Sequence, residues 1–189
     1  LNKISEEGFN KKLITLENVD SEQDNMATTM ASINKSFYFS KNCNDLIYYV
    51  EDDYIHRTDA LAEMIFAYEK FSSILKNEIF LLSTDYPYLY NNAKSSSILI
   101  GENIHWRTVD ESLLTFMTSK KMIEKYFKEL IEMTIIKSNP FEKNLHEIFK
   151  KEFCFSPIPS LSIHCTNINS VFGISPNTNL KKLWEENEY

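Results

Sequence analysis

Residues 45–56 read D-L-I-Y-Y-V-E-D-D-Y-I-H. Leu46, Ile47, Tyr48, Tyr49 and Val50 follow one another with no polar interruption, the pattern of a strand covered on both faces. The run then stops in three consecutive carboxylates, Glu51, Asp52 and Asp53. Adjacent like charges repel, so the end of this strand needs a cation, a base or water to hold them. An unbroken apolar strand also predicts helices on both faces of a mainly parallel sheet. The expectation is therefore an α/β fold with residues 47–50 as a central buried strand and the acids at its carboxyl end.

The flanking sequence extends this picture. Residues 11–18 (K-K-L-I-T-L-E-N) read as a short strand. Residues 25–41 carry Met26, Met30, Ile33 and Phe37 at helical spacing, with Asp24 as N-cap. After the acids, Thr58 or Asp59 caps a helix with the inner stripe Leu61, Met64, Ile65, Tyr68 and Phe71. Strands are expected at 78–83, 97–101, 105–109 and 113–118, and helices at 120–134 and 144–153. An extended, proline-punctuated piece ends at His164, and an amphipathic tail helix packs Leu180, Leu183 and Trp184. Strands alternating with helices, with no repeat and no linker, give one α/β domain over residues 1–189.

Composition excludes several classes. The 189 residues carry a net charge of -7 without a basic run, which argues against a nucleic-acid binder. Gly8, Gly101 and Gly173 are the three glycines, too few for a P-loop or a dinucleotide fingerprint. Cys43, Cys154 and Cys165 have no CxxC spacing and point to a reducing, cytoplasmic setting. No apolar run approaches the length of a membrane span.

Three clusters offer chemistry. Acids at a strand's carboxyl end lie where open α/β sheets bind ligands, and grouped hard oxygens suit Mg²⁺ or Mn²⁺. The bland alternative is a solvated strand end. Asp85, in S-T-D-Y-P-Y-L-Y, is either a turn cap before Pro87 or a site acid. In H-W-R-T-V-D-E, Trp106 is either core or a flat binding surface, and Arg107 pairs with a phosphate or a carboxylate. Asp110 and Glu111 follow as alternative general bases. His56 and His146 read as structural.

The stretch L-I-Y-Y-V-E-D-D-Y-I-H resembles the acidic motif of glycosyltransferases with the Rossmann-like GT-A fold. There a DxD motif, E-D-D in this sequence, ends a strand and binds metal and nucleotide-sugar. The order I-T-L-E-N, N-M-A-T-T-M-A-S-I-N-K-S, acidic strand is similar to family-2-like members. L-S-T-D-Y-P-Y-L-Y, I-H-W-R-T-V-D-E-S-L-L-T-F-M-T-S and S-L-S-I-H-C look like their acceptor-side elements. The resemblance implies that Asp53 is a direct metal ligand and that His164 joins it. Mixed ligation of that kind favours Mn²⁺ over Mg²⁺. It further implies donor contacts from Glu51, Asp52 and Arg107, and sugar-stacking by Trp106 and Tyr86, with Tyr88 beside it. Asp85 falls at the acceptor site, and Asp110 or Glu111 takes the acceptor proton.

The resemblance covers residues from about 11 to about 166. Members normally carry two strand–helix units before the strand at residues 13–16, where this sequence has about a dozen residues. The chain is thus expected to be the C-terminal part of a longer catalytic domain, or else a degraded or minimal variant of one. The implied activity is metal-dependent transfer of a sugar from a nucleotide-sugar to a carbohydrate or other hydroxyl acceptor. The rival readings are a non-catalytic carbohydrate- or nucleotide-binding module, or another metal-dependent phosphotransfer or hydrolase enzyme.

Overall fold

The computed structural model describes residues 19, 25–91, 93–135, 140–166 and 168–188. The strand expected at residues 11–18 and the Asp24 cap lie outside them. Helix α1 (Asn25–Ser40) leads into β1 (Leu46–Tyr49) and a short β2 (Tyr54–His56). Helix α2 (Ala60–Leu75), β3 (Phe80–Leu82) and a 3₁₀ turn (Pro87–Tyr90) come next. Then follow β4 (Ile98–Ile100), β5 (His105–Thr108), β6 (Phe116–Ser119) and helices α3 (Lys120–Lys125), α4 (Phe127–Ile135) and α5 (Lys143–Phe149). Strands β7 (Cys154–Ile158) and β8 (Ser162–His164) and helix α6 (Leu180–Asn187) complete the order.

Six strands form one sheet in the order β1-β6-β3-β7-β5-β4, and β2 pairs with β8 in a separate ribbon. The fold is α/β, with a mixed sheet between two helical layers. Side-chain alternation divides the core. Ile47, Phe80, Leu82, Phe116 and Cys154 face a cluster that includes Phe37 of α1 and residues of α3, α4 and α5. Leu81, Met117, Phe155 and Trp106 face the cluster built on Met64, Ala67, Tyr68 and Phe71 of α2.

Two sheet expectations are corrected. The sheet is not mainly parallel: β3 and β7 pair in parallel, and the other four pairings are antiparallel. Nor is β1 central, since it forms an edge of the described sheet beside β6, and Val50 is half exposed. Ile47 and Tyr49 face the α1 side while Leu46 and Tyr48 face the α2 side. The apolar run therefore records two covered faces. It carries no information on strand direction or strand order.

The helical stripes also need correction. On α2, Ala60, Glu63, Met64, Ala67, Tyr68 and Phe71 are buried, while Leu61 and Ile65 point outward. Asp59 sits at its N-cap, but its carboxylate holds Arg57 at 2.6 Å rather than a helix N–H. The helix expected at 120–134 breaks at Tyr126, whose hydroxyl donates to Glu152. On α6, Leu183 packs inward and Trp184 does not.

Glu63 explains its own burial. At 2% exposure it accepts from the backbone N–H groups of Glu102 and Asn103, both at 3.0 Å, and from the Trp106 indole at 3.2 Å. It thereby pins the β4–β5 hairpin turn to α2 with hydrogen bonds in place of a cation. Gly101 is required there, because a Cβ would meet Glu63 Oε1 at 2.1 Å and the indole nitrogen at 2.6 Å.

Candidate functional site

The strand β2 was not expected from sequence, and it builds the site. The chain turns at Asp52 and Asp53 and pairs Tyr54–His56 with Ser162–His164 in antiparallel register, Tyr54 opposite His164. That register brings together groups 111 residues apart. His164 Nε2 lies 2.9 Å from Asp53 Oδ2, which also accepts from the Thr166 hydroxyl at 2.5 Å. The Cys165 N–H donates to the Asp53 carbonyl at 2.7 Å, and the Tyr54 ring stacks on the imidazole at 4.9 Å. Asp53 Oδ1 and His164 Nδ1 are both buried without a hydrogen-bond partner. Buried polar atoms left unpaired are costly, and they mark places where a ligand or water belongs.

The acids open onto a cleft of about 790 Å³ between α1 and β1. Glu51, Asp52 and Asp53 lie along it with Phe37, Tyr49 and Phe116, and among the described residues neither lysine nor arginine lines it. Asp52 is exposed. The Glu51 N–H donates to Thr115 Oγ1 at 3.4 Å. Burial, followed by the charges of Asp53, Glu142 and Asp52, pushes the Glu51 carboxyl up from 4.5 to about 7.

This shift has a sign in stability. A carboxyl whose folded pKa lies above its unfolded value favours folding in its protonated form. The contribution of Glu51 is fully present below about pH 4.5 and is lost as pH rises through about 7. Glu51→Gln keeps a neutral group there throughout. Thermal melts in chelator should show the variant gaining on the parent protein as pH rises, with the difference near zero in acid. Parallel melting curves across that range would exclude the burial and repulsion assigned to Glu51.

The structure separates the other candidates. Asp85 is 2% exposed and its carboxylate is filled. Oδ1 accepts from Arg107 at 2.7 Å and from Ser156 Oγ at 3.2 Å, and Oδ2 accepts from the Tyr90 hydroxyl. Arg107 lies over the Tyr90 ring at 3.9 Å. This pair braces the 3₁₀ turn against β5 and β7, so Asp85 is corrected from site acid to strut, while Arg107, expected as a donor contact, gives one guanidinium nitrogen to it and lines the cleft of Asp110 and Glu111. Trp106 and Tyr86 are completely buried, which removes both as sugar platforms. Tyr86 instead meets the Tyr54 hydroxyl at 2.5 Å and stacks on Tyr88 at 5.7 Å between centroids.

Asp110 and Glu111 follow β5 at the surface. Lys94 reaches both, at 3.0 Å and 3.2 Å. They line a second cleft of about 610 Å³ with Tyr88, Lys150 and residues 95–97. Burial, with the charges of Glu111 and Glu142, raises the Tyr88 hydroxyl far above its ordinary value. His56 Nε2 lies 2.6 Å from the Tyr48 hydroxyl, and His146 Nε2 bonds the Ser112 carbonyl at 2.7 Å.

Among the described residues, no group of three or more His, Cys, Asp or Glu side chains is gathered to hold a metal. Asp53 and His164 make a two-residue donor set with one orphaned carboxylate oxygen. Such a set fits a divalent ion that completes its shell with water and substrate phosphate, as Mg²⁺ does. The three cysteines are unpaired thiols. No helix among the described residues is long and apolar enough to cross a membrane. No protein-family model matches the chain, and a search of the curated proteins gives no match.

Proposed function

We propose that this chain is a glycosyltransferase of GT-A type, or the catalytic portion of one, acting on a nucleotide-sugar with a divalent metal. The observation that carries the reading is Asp53. Its buried, unpartnered Oδ1 stands beside His164 at a cleft that has acids and, among the described residues, no lysine or arginine. A nucleoside diphosphate entering such a cleft meets repulsion unless a cation accompanies it. Asp53 and His164 would hold that cation, and Mn²⁺ or Mg²⁺ supplies charge neutralisation for the departing diphosphate.

The chain's own residues have separable tasks. Thr166 and the Cys165 N–H fix the Asp53 segment, and the stacked Tyr54 sets the plane of the imidazole. Glu51 and Asp52 line the donor cleft. The acceptor hydroxyl attacks the anomeric carbon as the sugar–diphosphate bond breaks, and its proton passes to a carboxylate. Asp110 and Glu111 are the candidates for that base, because both are accessible while Asp85 is sealed. Lys94 donates to both acids, at 3.0 Å to Asp110 and 3.2 Å to Glu111.

Product analysis with a panel of nucleotide-sugars, Mn²⁺ and simple sugar acceptors tests the reading. Transfer in Mn²⁺ that disappears in chelator is the expected result. Tight metal-dependent nucleotide binding with neither transfer nor hydrolysis would identify a non-catalytic binding module. Release of phosphate without sugar transfer would identify a hydrolase.

A further inference from the structure

A cleft of about 990 Å³ opens between α1, the end of α4 and the turn before α5. Met26, Met30, Met133, Phe141 and Phe172 form its walls. Its size and apolar lining are those of small-molecule sites, which run to about 300–1,000 Å³ and carry a few placed polar groups. Two of its polar groups are buried. Ser112 is completely buried on this cleft, and its hydroxyl has no partner. Glu142 is 5% exposed on the same cleft.

The cleft is not isolated. Tyr88 and Glu111 line both it and the polar cleft that holds Lys94, Asp110 and Lys150. An apolar chamber and a charged chamber thus share a wall, and a candidate general base stands in that wall. A ligand spanning both must be apolar at one end and polar at the other, with its hydroxyl near the junction. Flexible methionines suit an alkyl chain, since they repack around irregular apolar shapes.

We infer that the acceptor is an amphiphile, a sugar or other hydroxyl group carrying an alkyl or acyl chain, whose chain occupies this methionine-lined cleft. The inference rests on the glycosyltransferase reading for the word acceptor, but the binding site stands without it. The unpartnered Ser112 hydroxyl gains a polar partner from the linkage region of the ligand.

Calorimetric titration of the intact chain with methyl, hexyl and octyl β-glucosides, below their micelle concentrations and without donor or metal, tests it. Burial of each added methylene predicts a gain of roughly three- to fourfold in affinity. Met30→Glu, which places a charge in a half-buried wall, should weaken octyl glucoside at least about tenfold and leave methyl glucoside unchanged. Ala31→Phe fills the cleft without a charge and should do the same, so the test survives if one variant folds poorly. Affinity independent of chain length, or octyl glucoside binding unchanged in both variants, would overturn the inference. So would a dimer that Met30→Glu dissociates, because the cleft would then belong to a second copy. Metal-dependent nucleotide binding would use the acids that follow β1, on the cleft lined by Thr29, Ser32, Ser36 and other α1 residues that the methionine cleft does not use, so its failure would be seen separately.

Discussion

Arg107→Met is expected to destabilise the protein by about 3–5 kcal/mol, the cost of stranding one partner of a buried ion pair. Asp85 is sealed from solvent, and Arg107 supplies the one positive charge that reaches its carboxylate among the described residues. Ser156 and Tyr90 still donate to it in the variant, but neutral hydroxyls do not balance a buried negative charge. For a chain of this length the loss corresponds to a melting temperature lower by roughly 10 °C. The double variant Arg107→Met with Asp85→Asn should recover most of it, since both charges leave together and the amide retains hydrogen bonds. Urea unfolding followed by circular dichroism measures all three proteins. The result also decides between two roles for Arg107. A residue that grips donor phosphate would, when replaced, leave stability within about 1 kcal/mol and lower nucleotide affinity instead.

The same pair shows what could be read from the sequence. Spacing located most strands and helices, because alternation and helical stripes are local properties of the chain. The acids do follow the end of β1, as the run into E-D-D indicates. Strand order was not legible, since the apolar run at 46–50 reports covered faces and nothing about neighbours. The burial of Trp106 and Tyr86 is illegible in the sequence for a related reason. An aromatic beside charged residues has the same local signature whether it faces solvent or, like Trp106, donates its N–H to a buried carboxylate. A local signal for the ribbon exists in the pair of short alternations Y-I-H and S-I-H. Matched against each other, they describe the β2–β8 ribbon that joins Asp53 to His164.

That junction makes the second large effect. Asp53→Asn should lower metal-dependent affinity for UDP or GDP by at least about 100-fold, the upper end of what even an outer-shell partner of a metal site costs. An amide keeps the size of the carboxylate and its hydrogen bond from Thr166, so the β1–β2 turn should remain folded. The charge is lost, and with it the attraction that would draw a divalent ion into an otherwise acidic cleft. Asp52→Asn is the comparison: Asp52 lines the same cleft but is exposed and makes no contact with His164, so its loss should lower affinity less than that of Asp53. His164→Ala should weaken Mn²⁺ more than Mg²⁺, as imidazole nitrogen contributes more to the softer ion. Isothermal titration with nucleotide in Mn²⁺, in Mg²⁺ and in chelator reads every arm of the comparison. Nucleotide affinity that is equal with and without metal, or unchanged by Asp53→Asn, would show the Asp53–His164 contact to be a structural clasp of the β2–β8 ribbon. In that case the His164→Ala variant would lose thermal stability while its metal titration matched the parent protein's.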